Sequence, residues 1–261
     1  MNKLESTITS VAHELSRARR IAVLTGAGVS AESGVPTFRG AGGFWKDEEE
    51  VMRLATLQGF LADPKRVWEW YDMRRQMAKS VEPNPGHYAL AQLEHITSAR
   101  GGDFTLITQN IDGLHERAGS NNIIELHGNL WYARCLKNCT RDVYLLEQTP
   151  LPEYPPKCPQ CDGILRPHVV WFGELLDPLV IESATRASLQ AEVMLVVGTS
   201  AQVYPAAGLP YSARNAGALI VEINLEQTDL TPYAHLSIQG KSGEVLPQIV
   251  SVIDDMLKNQ K

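Results

Sequence analysis

The sequence of 261 residues contains no apolar run long enough to span a membrane. It also has no amino-terminal signal segment, that is, a basic stretch followed by an apolar block and a cleavage site. Basic residues are not in excess, since 24 Lys and Arg stand against 30 Asp and Glu, and the formal net charge is −6. The basic clusters at 17–20 and 74–75 are short, which argues against a nucleic-acid surface. We therefore expect a cytoplasmic protein without nucleic-acid or membrane partners.

The composition, 44% hydrophobic and 21% charged, is that of a globular chain with one large α/β core or a core plus a small module. Short apolar runs alternate with helical stretches, a pattern typical of buried parallel strands. The predicted strands are 21–24, 104–108, 123–126, 193–197, 218–223 and, from a weaker pattern, 236–239. The predicted helices include 85–97, 111–118, 179–190 and 206–215, and a last helix follows a predicted cap at Ser242. The sequence thus predicts an α/β fold with a Rossmann-like, doubly wound parallel sheet.

Residues 24–31, LTGAGVSA, lead from a strand through glycines into a helix. Gly26, Gly28 and Ala31 match the G-x-G-x-x-G/A pattern of dinucleotide-binding turns. In that pattern the first glycine permits a tight turn, the second lets backbone approach a pyrophosphate, and the small third residue allows close helix–sheet packing. A strand-to-helix turn without a ligand has the same appearance, so the motif alone is weak evidence.

All four cysteines lie in one segment, as a C-x3-C pair (Cys135, Cys139) and a C-x2-C pair (Cys158, Cys161). Two such pairs have the ligand spacing of a tetrahedral zinc site. Two disulfides are the alternative, which a cytoplasmic location disfavours, and a redox-active C-x2-C lacks a thioredoxin-like context. Because four sulfur ligands leave the metal no open position, we predict one structural zinc ion.

Polar residues follow several predicted strands, at the edge where open α/β sheets bind their ligands. The segment 108–112, TQNID, follows one strand, and His127 with Gly128 follows the next. A histidine at a strand end is more often structural than catalytic, but beside Asn110 and Asp112 it becomes the leading candidate for a general base. Later strands end in GTS at 198–200 and NLE at 224–226, which offer amides, hydroxyls and a carboxylate to phosphate and ribose groups.

The order of these motifs resembles the sirtuin family of NAD-dependent protein-lysine deacylases: GAGVSAESGVPTFR at 26–39, TQNID, HG, the paired cysteines, GTS and NLE. The resemblance covers nearly the whole chain. It implies an NAD-binding Rossmann-like domain of residues 1–37, 84–130 and 168–261, with a helical insertion (38–83) and a zinc-binding insertion (131–167) forming a small domain. The first cysteine pair has three intervening residues where the family usually has two, which leaves the local turn geometry open.

The resemblance also implies a role for each motif. His127 accepts a proton from a ribose hydroxyl, Asn110 and Asp112 orient the nicotinamide end of NAD, and Phe38 and Arg39 close over it. The products are free lysine, nicotinamide and 2′-O-acyl-ADP-ribose. The implied NAD-binding residues are Gly26, Ala27, Gly28, Ser30, Glu32, Thr37, Phe38, Arg39, Trp45, Gln109, Asn110, Ile111, Asp112, Gly198, Thr199, Ser200, Asn224, Leu225, Glu226 and Ser242.

For the acylated protein substrate, the resemblance implies that segment 168–174 pairs with the peptide as an added strand, through Val170, Phe172, Gly173 and Glu174. Helical spacing places Arg74 and Tyr71 on one face with Val67, Trp70 and Met77. There Arg74 either extends to solvent, pairs with a structural carboxylate, or forms a carboxylate clamp with Tyr71. Tyr71, Arg74 and the small Ala55 resemble the desuccinylase branch of sirtuins, which implies removal of succinyl or malonyl groups, together with acetyl groups.

Three alternatives stay open at this point. The chain could be a deacetylase with little desuccinylase activity. An NAD-linked oxidoreductase would need an acidic residue at the end of the second strand, about twenty residues after the glycines. In that region the sequence has FWKD at 44–47, outside any predicted strand. An adaptor that binds NAD or zinc without catalysis is disfavoured by the polar residues around His127.

Overall fold

The computed structural model describes residues 3–37, 51 and 53–259, so Phe38, Arg39 and Trp45 lie outside the described residues. Nine strands are numbered in chain order: β1 Arg20–Thr25, β2 Asp103–Thr108, β3 Ile123–Glu125, β4 Gly128–Cys135, β5 Val143–Leu145, β6 Leu165–Val169, β7 Val193–Val197, β8 Leu219–Asn224 and β9 Leu236–Gln239. Six of them form a parallel sheet in the order β3-β2-β1-β7-β8-β9. The predicted α/β fold is confirmed.

Helices cover both faces of this sheet. Lys3–Arg17, Pro85–Ala99 and Ser242–Lys258 pack on one face, and Pro178–Gln190 with Leu209–Asn215 pack on the other. Because both faces are covered, the central strands are mainly apolar, and all five residues of β7 are apolar and buried. Within the described residues, the helices are too short or too polar to cross a membrane.

A second, antiparallel sheet has the order β5-β4-β6. The helices Leu57–Ala62 and Pro64–Ser80 pack against it around a separate core that includes Phe60, Trp68 and Trp171. These elements carry the cysteines and the helix of Tyr71 and Arg74. The division of the chain at 130 and 167 stays a prediction; both positions fall inside strands, β4 and β6 respectively.

Two predicted helices differ from the structure. The predicted helix 111–118 is the single turn Leu114–Arg117, because Gly113 has a φ of 76° and the Asp112 carboxylate caps the Leu114 amide. The predicted helix 206–215 is a 3-10 turn, Ala206–Gly208, followed by the α-helix Leu209–Asn215. A further 3-10 turn spans Thr231–Tyr233.

The predicted cap at Ser242 is wrong. The helix Ser242–Lys258 includes Ser242 as its first residue, and its N-cap position is Lys241. A carboxylate from another helix end satisfies this terminus, since Glu32 Oε1 accepts from the Gly243 amide at 2.9 Å and from Ser242 Oγ at 3.1 Å. Capping from a distant segment leaves no signal in the local sequence.

Candidate active site

The carboxyl ends of the parallel strands meet along one edge of the main sheet, where the predicted polar segments lie. The sheet order reverses between β1 and β7, the point at which open α/β sheets form a ligand-binding crevice. There the Gly26 amide donates to the Val197 carbonyl at 3.1 Å, and the Gln109 amide donates to the Thr25 carbonyl at 3.0 Å. These contacts bring the glycine turn, 109–112 and 198–200 together.

The two glycines of the turn are required by the space around them. A Cβ atom on Gly26 would lie 2.7 Å from Cβ of Thr199, and one on Gly28 would lie 2.8 Å from Cα of Gly198. Gly26 has an extended backbone that any residue adopts, so the tight turn expected there does not explain the glycine. Ala31 is exposed, so the close helix–sheet packing expected at this position is wrong. The turn packs tightly against the end of β7.

Ser30, Asn110 and Asp112 form one hydrogen-bonded cluster beside this turn. Ser30 Oγ donates to Asp112 Oδ2 at 2.7 Å and accepts from Asn110 Nδ2 at 3.1 Å. Asn110 Nδ2 also donates to the Gly26 carbonyl at 3.1 Å. Burial raises the pKa of Asp112, and its hydrogen bonds from Leu114 and Ser30 offset part of that rise. The orientation of each polar group in the cluster is therefore fixed by its neighbours.

His127 lies just beyond β3, partly buried, with Nδ1 3.1 Å from the carbonyl oxygen of Gln109. Because a carbonyl oxygen only accepts, Nδ1 carries the ring proton and Nε2 is the basic nitrogen. Burial lowers the pKa of His127, and the bond to Gln109 offsets part of this effect. The ring is thus neutral near pH 7 and able to accept a proton at Nε2. Gly128 follows with a φ of 76°, and a Cβ there would lie 2.1 Å from the His168 carbonyl oxygen.

A cavity of about 320 Å³ opens between the glycine turn and the ends of β8 and β9. Six of the residues predicted to bind NAD line it: Gly28, Glu32, Gly198, Asn224, Leu225 and Ser242. A larger cavity of about 470 Å³ lies on the helix Pro178–Gln190 and includes none of the predicted site residues. Of these two cavities, the smaller one is therefore the one that matches the predicted NAD site.

The remaining residues predicted to bind NAD surround this cluster and cavity. Thr199 Oγ1 accepts from Gln109 Nε2 at 2.9 Å, and the Thr199 carbonyl accepts from Asn224 Nδ2 at 2.9 Å. The side chains at the rim are exposed (Ser200, Leu225 and Glu226) or partly buried (Ala27, Thr37 and Ile111). The described part of the predicted NAD site is therefore continuous from His127 to the end of β8.

The Sir2 family model matches residues 26–205 of this chain. A relative from Pyrobaculum aerophilum, NAD-dependent protein deacylase 2, is 49% identical over 252 residues, which cover 97% of this chain and 98% of the relative. The chain belongs to the Sir2 family.

Two solved structures of Sir2 homologues share the fold of this chain. One, a complex with NAD, is 44% identical with a TM-score of 0.86 and covers 95% of this chain and 94% of the homologue. The other, a variant in complex with 2′-O-acetyl-ADP-ribose, is 43% identical with a TM-score of 0.86 and covers 98% of each chain. The chain is an NAD-dependent protein deacylase, and the family, the enzyme class and NAD as co-substrate, all predicted from the sequence motifs, are confirmed.

In this Sir2-family chain the four cysteines form one cluster of free thiols. The sulfur atoms of Cys135 and Cys161, and those of Cys139 and Cys158, lie 3.6 Å apart, and all four lie within 4.8 Å of one another. Tetrahedral zinc with bonds of about 2.3 Å places its sulfur ligands about 3.8 Å apart. The predicted four-sulfur zinc site is confirmed. Its longer C-x3-C spacing is accommodated by Asn138, whose φ of 49° lies in the left-handed region that asparagine tolerates.

The segment predicted to pair with the peptide, 168–174, runs from β6 past the helical elements of the second core. Its Val170 and Phe172 amides donate to the carbonyls of His127 and Ala55, both at 2.9 Å. Phe172 and Gly173 are exposed. These two amides are therefore already bonded within the protein.

Glu174, predicted to contact substrate, is turned into the protein. Its carboxylate accepts two hydrogen bonds from Arg166 and one, at 2.9 Å, from the Trp171 amide. Burial favours a higher pKa for Glu174, but the bonds from Arg166 and Trp171 outweigh it and hold the pKa below the ordinary value. In the described residues Glu174 thus fixes the loop that presents Phe172 and Gly173.

Tyr71 and Arg74 lie one turn apart on the helix Pro64–Ser80, and both are buried, Arg74 with 7% of its surface exposed. The guanidinium of Arg74 lies 4.7 Å from the ring centroid of Trp70 and 5.5 Å from that of Tyr71. Burial lowers the pKa of Arg74, and the groups of Tyr71 and Asp112 offset part of this effect. Arg74 does not extend to solvent. Ala55 is also buried and lies beside Phe172 through the backbone bond described above.

Two buried polar groups of the site were missed by sequence reasoning. His115 Nε2 lies 3.0 Å from Thr25 Oγ1, and His87 Nε2 lies 3.4 Å from Ser30 Oγ, with the two imidazole rings 4.7 Å apart. Burial lowers the pKa of His87 to about 4 and also lowers the pKa of His115. Both rings are therefore neutral where they lie beside the Ser30 cluster. The NPGH sequence at 84–87 was an available signal, since it is a helix start with a histidine at its third position.

Proposed function

We propose that this NAD-dependent protein deacylase prefers lysines carrying acidic acyl groups, succinyl or malonyl, and also removes acetyl groups. NAD would supply an ADP-ribosyl group that accepts the acyl group, with release of nicotinamide. The division into an NAD-binding domain and a smaller zinc-binding and helical domain would place this chemistry between the two.

The chain's own residues support the deacylase chemistry. His127, neutral and with a free Nε2, is suited to take a proton from a ribose hydroxyl. The fixed cluster of Asn110 and Asp112 is suited to orient the nicotinamide end, and Gln109, held between Thr25 and Thr199, to bind a ribose. The four cysteines would hold zinc as a structural ion, away from the reacting atoms.

The single observation that carries the acyl preference is the burial of Arg74 beside Tyr71. Because Arg74 is buried beside Tyr71, little water competes there for an anion bound by its guanidinium fork. A succinyl or malonyl carboxylate would supply an anion, held by the guanidinium fork and the neutral Tyr71 hydroxyl. An acetyl group has no carboxylate and would leave this pair unused.

The experiment is a product analysis with NAD and matched peptides carrying acetyl-lysine or succinyl-lysine. Mass spectrometry should detect nicotinamide and the 2′-O-acyl-ADP-ribose of each acyl group, with higher kcat/KM for the succinyl peptide. Acetyl transfer alone would favour the deacetylase with little desuccinylase activity. Formation of NADH would favour an oxidoreductase and overturn the proposal.

A further inference from the structure

The indole of Trp171 connects the predicted peptide-binding segment to the helix Pro64–Ser80, on the face that carries Tyr71 and Arg74. Its Nε1–H donates to the hydroxyl oxygen of Tyr71 at 2.9 Å, and both side chains are buried. An indole nitrogen only donates, so the Tyr71 oxygen is the acceptor in this bond. The single hydroxyl hydrogen of Tyr71 must therefore point away from Trp171.

Trp171 is itself held in one orientation. Its backbone amide donates to Glu174, the guanidinium of Arg166 lies 3.5 Å from its ring centroid, and the ring of Phe60 lies at 5.1 Å. A cation over an indole face withdraws electron density from the ring, which makes the N–H a stronger donor. The direction of the Tyr71 hydroxyl is thus fixed by the same loop that carries Phe172 and Gly173.

We propose that Trp171 is a positioning residue for acyl recognition: by donating to the Tyr71 oxygen, it directs the Tyr71 hydroxyl hydrogen toward the carboxylate of an acidic acyl group beside Arg74. This inference rests on the acyl preference proposed above. Burial raises the pKa of Tyr71 to about 12, so its hydroxyl remains a neutral donor through the physiological range. Deacetylation does not use this hydroxyl, so it should depend less on the Trp171 indole N–H than desuccinylation does.

The test is Trp171→Phe, which keeps a ring against Phe60 and under Arg166 but removes the N–H donor. We expect kcat/KM for a succinyl-lysine peptide to fall about three- to tenfold, mainly through KM, as for loss of one neutral hydrogen bond. Deacetylation should fall by a clearly smaller factor, so the ratio of desuccinylase to deacetylase efficiency should fall.

Trp68→Phe is the matched control. Trp68 is fully buried on the helix of Tyr71, and its Nε1–H donates to the Leu165 carbonyl at 2.9 Å. This variant loses a comparable buried hydrogen bond but keeps the bond from Trp171 to Tyr71, so the ratio of desuccinylase to deacetylase efficiency should stay unchanged. In a Tyr71→Phe background, Trp171→Phe should produce no further change in that ratio.

An equal loss of both activities in Trp171→Phe, or the same change of ratio in Trp68→Phe, would overturn the inference.

If Trp171→Phe does not fold, NMR of the native protein tests the inference. The indole N–H resonance that Tyr71→Phe shifts is assigned to Trp171. That resonance should move further on addition of succinyl-lysine peptide than on addition of the matched acetyl-lysine peptide; equal movement would overturn the inference. A wild type without desuccinylase activity would overturn the proposed function as well, whereas an active wild type with an unchanged Trp171→Phe ratio overturns only this inference.

Discussion

Nδ1 of His127 lies 3.1 Å from the carbonyl oxygen of Gln109, which leaves Nε2 as the only basic atom of the ring. His127→Ala should lower turnover by roughly two to four orders of magnitude, the usual contribution of a general base. The melting temperature and zinc content should remain those of the wild type. Steady-state kinetics with an acetyl-lysine peptide measures the effect, and near-normal turnover would show that another group is the base.

The lowered pKa of His127 also predicts the acid limb of the pH profile. Burial disfavours the charged ring, so the neutral base persists to lower pH than in a free histidine, whose pKa is about 6.5. kcat/KM should therefore fall only as the pH drops below that value. The pH dependence of kcat/KM in wild type gives the midpoint, and a midpoint above 7 would contradict the account.

Glu125 predicts a pH-dependent stability. Burial raises its pKa to about 7 in the folded protein, from an ordinary 4.5. Its favourable contribution is therefore complete below 4.5 and is lost as the pH rises through 7. Glu125→Gln keeps an acceptor for Asn129 but cannot ionise, so its melting temperature relative to wild type should be higher at pH 8 than at pH 4. Glu182→Gln, at an exposed position, is the control: its melting temperature relative to wild type should not rise between pH 4 and pH 8.

Cys158→Ser removes one of four sulfur ligands and should release zinc. Because metal binding at a structural site is coupled to folding, the variant should melt at a lower temperature. Metal analysis and thermal denaturation under reducing conditions measure both effects, and activity should fall only indirectly. Wild-type protein without one equivalent of zinc would show that the cysteine cluster has another role.

Asp72 and Arg75 form a fully buried ion pair that joins the helix Pro64–Ser80 to residues 146–154. Asp72 also accepts from Thr149, and from Tyr154 at 2.5 Å. Asp72→Asn leaves a buried guanidinium without its partner, and such losses cost about 3–5 kcal/mol of unfolding free energy. Glu182→Gln removes an exposed ion pair with Arg186 and should cost less than about 1 kcal/mol. Denaturant unfolding measures the free energy of unfolding of both variants. Equal effects would contradict the role of burial.

The sequence predicted the main sheet well because its central strands are buried on both faces. Strands 193–197 and 236–239 have the predicted bounds, and the polar segments that follow the strands lie together, as the geometry of a parallel sheet requires. The zinc site was equally predictable, since two closely spaced cysteine pairs are typical of a metal site.

The parts that sequence reasoning missed depend on contacts between distant segments. Trp171 and Tyr71 are 100 residues apart, and Asp72 binds the Leu151 amide 79 residues away. No periodicity or motif encodes such pairs. The glycine turn was recognised, but its glycines are required by Thr199 and Gly198, a packing detail that only the fold reveals.

The acyl preference is the central claim, and Arg74→Met tests it most directly. Methionine keeps length and apolar packing but removes the guanidinium fork, so a succinyl carboxylate would have only the Tyr71 hydroxyl as partner. Hydrogen bonds to charged groups contribute about 1.5 to 3 kcal/mol, or roughly ten- to hundredfold in kcat/KM. We predict that the ratio of desuccinylase to deacetylase efficiency falls by this factor while deacetylation changes little or improves. An unchanged ratio would mean that Arg74 is structural and would contradict the account.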